Sequence, residues 1–218
     1  HALSQKRVYD MSFEVGIFTN LSRDHLDFHG SHEEYRETKV NWLLDDVQGS
    51  PNVRGVVTPF DDDAGQEIYR EFRGRVLSFG FDDESDIYPE ALELTATGTR
   101  GRVLTPRGTL SLFLQAPGRH NILNAMAAIG VASLLDIEPI AVVEGQQRFR
   151  GAPGRFDAVE NDRGISVLVD YAHTPDALSV AIQSLREITE GRIIVVFGCG
   201  GDRDEQKRPE MGATVAEY

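Results

Sequence analysis

The chain of 218 residues is poor in several things. It has one cysteine, Cys199, and one tryptophan, Trp42. A single thiol excludes a disulfide framework and suits a reducing compartment. No apolar run approaches the roughly 20 residues of a membrane span. Basic residues are scarce: 22 Lys and Arg stand against 35 Asp and Glu, a formal net charge of -13. An extended nucleic-acid surface needs a basic face, so that class of partner is excluded, whereas a local nucleotide site is not. The chain begins at His1, without Met and without a signal-peptide pattern. Both ends read as cuts through a longer protein. What is present is ordinary globular material, 40% hydrophobic and 26% charged. The length suits one domain, or one and a half.

Apolar patterning alternates between strand and helix. Phe13–Thr19 predicts a buried strand, Glu33–Leu44 a helix, Val53–Thr58 a strand, Gly65–Phe72 a helix and Arg75–Phe79 a third strand. Such alternation predicts an α/β fold with a parallel sheet covered by helices. From Asp86 to Leu114, short alternating runs broken by Gly-Thr, Arg-Gly and Pro-Arg-Gly predict antiparallel hairpins at the edge of the first domain. Asn121–Leu135 is apolar on nearly every side, which predicts a helix buried between layers. Ile140–Phe149 predicts a short helix. The Gly/Pro segment Arg150–Gly154 marks a domain boundary, with 1–152 on one side and 153–218 on the other. Beyond it Phe156–Val159, Ile165–Tyr171 and Ile193–Phe197 predict strands, the last two buried. Thr174-Pro175-Asp176 opens a helix with an N-cap, a first-turn proline and a first-turn acid. A last helix starts near Arg208 or Pro209.

Four segments carry polar residues that a fold alone does not require. Asn20–Gly30 follows a buried strand, where open α/β sheets place ligands. His25 and its aspartates there either hold a cation or cap a loop through Asx hydrogen bonds, and their spacing matches no zinc pattern. Lys39 stands in a helix with apolar neighbours. It is either a snorkelling surface residue or a partly buried amine with altered chemistry. Asn121 and Asn124, three apart, share a helical face; an amide suits a purine edge, and Asn121 equally suits a helix cap. Finally, Asp170–Pro175 and Gly198–Asp204 leave two strands. An Asp and a His above a helix N-terminus make a ready anion and sugar site, although neither loop has the Gly-x-Gly-x-x-Gly pattern. Cys199 reads as a small buried residue.

Taken in order, these segments resemble the Mur ligases. The resemblance rests on Thr19-Asn20-Leu21-Ser22-Arg23-Asp24-His25-Leu26-Asp27-Phe28-His29-Gly30 with Tyr35 and Lys39, and on Gly118-Arg119-His120-Asn121-Ile122-Leu123-Asn124-Ala125. It rests further on Pro153-Gly154-Arg155-Phe156, Asp170-Tyr171-Ala172-His173-Thr174-Pro175, and Gly198–Asp204 with Lys207-Arg208-Pro209. The first of these runs is most like the branch that adds the third residue of the peptidoglycan stem peptide. The Asp-Tyr-Ala-His-x-Pro run is also similar to folylpolyglutamate and cyanophycin synthetases.

The resemblance implies the later part of a parallel-sheet central ATPase domain, with an antiparallel edge, followed by the start of a Rossmann-like C-terminal domain. It implies an ATP-dependent amide ligase in the cytoplasm, expected to be a monomer. ATP would phosphorylate the D-Glu carboxylate of UDP-MurNAc-L-Ala-D-Glu, and a diamino acid would attack the acyl phosphate. Positioning and Mg²⁺ charge neutralisation would carry the chemistry. Lys39 would be carbamoylated and ligate Mg²⁺, with His25 as a metal ligand near it. Gln5 and Arg7 would hold the UDP-MurNAc-dipeptide. Asn121 and Asn124 would meet adenine, Arg155 the phosphates and Asp170 the ribose, with His173 a catalytic residue near the phosphates. Arg203 would bind the incoming amino acid, and its Gly-Gly-Asp-Arg-Asp setting leans toward meso-diaminopimelate over L-lysine. The family's Gly-x-x-Gly-Lys-Thr-Thr loop, a metal-binding Glu and the UDP-binding domain would lie upstream of His1. Its Asp-Asn-Pro amino-acid motif would lie past Tyr218. This segment by itself is therefore expected to be inactive. A related glutamate-chain ligase and a non-catalytic ligase-like protein are the alternatives.

Overall fold

The computed structural model describes residues 1–21, 26–95, 98–199 and 207–218. Its chain divides into two compact units. The first is 1–91, 101–112 and 123–145; the second is 92–100, 113–122 and 146–218.

The first unit holds a parallel three-stranded sheet, in the order β1 (Val15–Ile17), β2 (Gly55–Pro59), β3 (Val76–Phe79). Every residue of β2 is buried, as a central parallel strand requires. Val56 joins a cluster with Phe18, Val40, Leu43, Val47, Ala64, Ile68 and Phe72. Val40 comes from α2 (His32–Asn41), Leu43 and Val47 from a π-type continuation over Trp42–Val47, and Ala64 and Ile68 from α3 (Asp63–Glu71), while Phe18 follows β1 and Phe72 follows α3. A four-residue turn of helix, α1 (Leu26–His29), precedes α2. Val57 points the other way. A Cβ at Gly130 would stand 2.7 Å from Val57 Cγ1, so that glycine is what lets α4 (Arg119–Leu134) lie directly on the sheet. Ile122, Met126, Ala127, Ile129 and Leu134 of α4 are buried, which agrees with a helix apolar all round. α5 (Pro139–Arg148) follows.

Between β3 and α4 run β4 (Tyr88–Thr95), β5 (Gly98–Thr105) and β6 (Gly108–Leu114), neighbours in that order. Connections of two residues admit only antiparallel pairing, because a parallel pair needs a long crossover. These are the expected hairpins.

The second unit departs from the sequence reading. Within residues 146–218 the only sheet among the described residues is a short antiparallel pair, β7 (Asp157–Ala158) with β8 (Leu168–Val169). Ile193–Phe197 forms no strand and is not buried: Ile194 is 70% and Val196 94% exposed. Val167 and Val169 are exposed as well. An apolar run becomes a buried strand only with strands beside it and layers on both faces, and no described strand pairs with 193–197. What the unit does form is locally encoded. α6 (Pro175–Arg186) packs on α7 (Lys207–Glu217) through Leu178, Ile182 and Met211, and Cys199 Sγ lies 3.3 Å from Met211 Sδ. Thr174 caps α6 as read from the sequence, its Oγ1 accepting from the Ala177 N–H at 3.2 Å. Thr174→Ala should lower unfolding stability by about 1 kcal/mol, and Thr174→Ser should restore most of it. Urea unfolding followed by helical circular dichroism checks this.

Candidate functional site

Lys39 lies near the end of α2, where the helix runs on into its π-type continuation, the Trp42 N–H donating to the Thr38 carbonyl. It is half-buried rather than snorkelling. Its Nζ donates to the Asn20 carbonyl at 2.6 Å, and sits 5.0 Å from the Phe18 ring centroid and 5.3 Å from that of Tyr35. The buried His29 backs Tyr35, ring to ring at 5.0 Å. Burial pushes the Lys39 pKa below the usual lysine range, against the opposing charge of Asp62. Asp62 was not singled out from sequence; it caps α3, with Oδ1 accepting from the Gly65 N–H at 3.0 Å. Gln5 and Arg7 are exposed in a run of turns, and Gln5 Nε2 stands 2.9 Å from His1 Nε2. His25 lies outside the described residues, as does Arg203. No group of three His, Cys, Asp or Glu gathers among the described residues.

In the second unit the structure brings three expected residues around one loop. Asp170, just past β8, spends both oxygens on backbone. Oδ2 accepts from the Phe156 N–H at 2.9 Å and Oδ1 from the Ala172 N–H at 2.8 Å. Each oxygen keeps a lone pair for a further donor. Arg155 is exposed, its guanidinium 4.9 Å from the Tyr171 ring centroid. Tyr171 and His173 meet ring to ring at 5.0 Å. His173 Nδ1 lies 2.9 Å from the Tyr171 carbonyl. That contact assigns Nδ1 as the donor and leaves Nε2 of the neutral ring to accept. Directly behind this loop α6 begins, twelve residues long and capped by Thr174. Its free N–H groups and the Arg155 cation suit an anionic ligand.

Asn121, in the first turn of α4, donates from Nδ2 to the Pro117 carbonyl at 2.7 Å, so its amide oxygen stays available. It is therefore not the N-cap that the sequence allowed, because α4 already begins at Arg119. Asn124 is exposed, one turn on.

Within the second unit, two residues that sequence reasoning passed over stand beside Asp170. His120 packs edge-on against Phe156, centroids 4.7 Å apart. Burial lowers the His120 pKa, opposed by Asp170. Phe156 is 3% exposed and has φ +49°. A left-handed backbone at a residue with a Cβ costs about 1–2 kcal/mol, so surrounding contacts must hold it there. The only sequence trace of this was Phe156 closing the Pro-Gly-Arg run.

The comparisons bear on the same segments. Residues 1–132 match the Mur ligase middle domain, and residues 154–218 match the Mur ligase glutamate ligase domain. A protein of Clostridioides difficile named UDP-N-acetylmuramoyl-L-alanyl-D-glutamate--2,6-diaminopimelate ligase is 38% identical over all of this chain and 44% of its own length. A protein of the same name from Geobacter metallireducens is 40% identical over all of this chain and 43% of its own length. The chain thus spans less than half the length of these curated relatives. Among solved structures, one of a ligase of that name superposes with a TM-score of 0.74 at 29% identity, over 100% of this chain and 44% of the other. MurF of Acinetobacter baumannii superposes with a TM-score of 0.78 at 25% identity, over 94% of this chain and 45% of the other. The chain belongs to the Mur ligase family.

Proposed function

We propose that the protein carrying this chain is an ATP-dependent UDP-N-acetylmuramoyl-dipeptide ligase, which joins a diamino acid, meso-diaminopimelate, to UDP-MurNAc-L-Ala-D-Glu. The observation that carries the reading is the gathering of Arg155, Asp170 and His173 around the loop that enters α6. It supports binding of a nucleotide's phosphates and ribose. Names borne by relatives at 36–40% identity supply the substrates.

On this reading Arg155, held over the Tyr171 ring, pairs with phosphate oxygens, whose geometry the guanidinium fork matches. Asp170 accepts from the ribose, and the free oxygens of Asn121 and Asn124 meet the adenine amine. Gln5 and Arg7 hold the UDP-MurNAc-dipeptide, and Arg203 the carboxylate of the diamino acid. Lys39 is carbamoylated: its neutral amine adds CO₂ and loses a proton, turning a cation into a carboxylate-like oxygen donor. The fit lies in its burial, since a desolvated amine is more often neutral. The carbamate and His25 would hold Mg²⁺, which neutralises phosphoryl charge when bound. No helix among the described residues is long and apolar enough to cross a membrane. The reading places the enzyme in the cytoplasm, as a monomer, with the 152/153 position as its domain boundary.

The test is phosphate release by the intact protein. It should require ATP, UDP-MurNAc-L-Ala-D-Glu and meso-diaminopimelate together, and fall by at least about tenfold when any one is omitted. Equal release without the dipeptide would overturn the reading. Equal rates with L-lysine would overturn the choice of amino acid.

A further inference from the structure

The segment 152–157 folds unusually tightly. The Arg155 N–H donates to the Ala152 carbonyl at 3.0 Å, closing a turn. The Gly154 N–H donates to Asp157 Oδ2 at 3.2 Å. Gly154 has φ +70° and Phe156 φ +49°. Left-handed backbone thus flanks Arg155 on both sides; Phe156 is buried while Arg155 is exposed over Tyr171. Glycine adopts such a φ freely, but phenylalanine does not. Phe156 is therefore held from outside, and its two holders are visible. The edge-on His120 ring meets its side chain, and the Asp170 carboxylate takes its N–H. Gly118 belongs to the same device, since a Cβ there would stand 2.8 Å from His120 Cε1. Strain maintained in this way beside a proposed ligand group points to positioning rather than to stability alone.

We infer that Phe156 is a positioning residue: clasped between His120 and Asp170, it fixes the direction of the Arg155 guanidinium. The inference rests on the nucleotide reading of Arg155 and adds to it. Arg155 is aimed by its neighbour, and that neighbour ties it to α4, through His120, and to the ribose carboxylate, through its own N–H. Phe156 itself touches no substrate.

A double-mutant cycle decides it. Mg-ATP dissociation constants and thermal midpoints are measured on the intact protein, Arg155→Ala, Phe156→Ala and the double variant. Each single change should weaken ATP by at least about tenfold, and the double variant should bind within about twofold of either single, because both remove one interaction. Losses that multiply, or Phe156→Ala binding ATP like the parent, overturn the coupling. If Arg155→Ala binds ATP normally, the phosphate role of Arg155 falls, and the coupling with it. Should Phe156→Ala fail to fold, Phe156→Leu keeps most of the buried volume without the ring edge. It should retain the parent's thermal midpoint to within a few degrees yet weaken ATP by about threefold. Normal ATP binding in that variant overturns the inference.

Discussion

Lys39→Ala should reduce the ATP-dependent ligation rate of the intact protein by roughly a thousandfold, the scale seen when a group that neutralises developing phosphoryl charge is lost. The expectation comes from the amine's surroundings. A lysine that merely packed its stem would keep its nitrogen in water; this one is turned inward, onto the Asn20 carbonyl and between the faces of Phe18 and Tyr35. Burial moves it toward the neutral form despite Asp62. Only the neutral amine can add CO₂ and become an oxygen ligand for Mg²⁺. Lys39→Arg separates that chemistry from simple charge. Arginine keeps the cation and much of the length, yet cannot be neutral at working pH, so it should be as inactive as alanine. A short-chain carboxylic acid added to Lys39→Ala should restore part of the rate, by standing in for the carbamate, and should do nothing for Lys39→Arg. An alanine variant with more than about a tenth of the parent rate, or an active arginine variant, would remove the carbamate from the mechanism.

How far the sequence could be read depends on how local each cause is. The Thr174 cap, the Pro175 start and the acid in the first turn of α6 are decided within four residues, and the helix begins where they place it. β2 was legible because Val56 and Val57 face opposite covered sides, which leaves Thr58, bonded to the Gly65 carbonyl, as its one polar side chain. The hairpin between β5 and β6 was legible from Pro106-Arg107-Gly108, whereas the Gly-Thr and Arg-Gly signals fall inside β5. Ile193–Phe197 looked like β2 on paper. Its apolar side chains describe what a strand there would bury, but whether it is buried depends on neighbours at other places in the chain. At the candidate site, Arg155, Asp170 and His173 were readable as residue types next to strand ends. That they meet around Tyr171 was not, since each contact is tertiary. Phe156 was least legible, because nothing in a phenylalanine announces a left-handed backbone.

Gly65→Ala should destabilise the first unit by about 3 kcal/mol, against the sign that helix propensity alone gives. Gly65 is the third residue of α3, and alanine within a helix is ordinarily better than glycine by about 1 kcal/mol. Here the added Cβ would stand 2.1 Å from the carbonyl oxygen of Pro59, on β2, and 3.1 Å from the carbonyl carbon. Both are backbone atoms of a strand paired with Phe79 of β3, so the strand cannot yield. Nor can the helix retreat freely. The Gly65 N–H is held by Asp62 Oδ1 at 3.0 Å, and its carbonyl accepts from the buried Thr58 Oγ1 at 3.1 Å. Backing away would break a cap and leave a buried hydroxyl unpaired, each costing about 1 kcal/mol or more. Gly145 in α5 and Gly212 in α7 are the controls. A Cβ at either meets nothing within 4 Å. Alanine there should leave stability unchanged or raise it by about 0.5–1 kcal/mol. Thermal unfolding of the three variants in parallel tests the argument. A Gly65→Ala protein as stable as the parent would mean that α3 is free to shift on the sheet. Asp62, which caps α3 and opposes the effect of burial on Lys39, would then not be fixed in place.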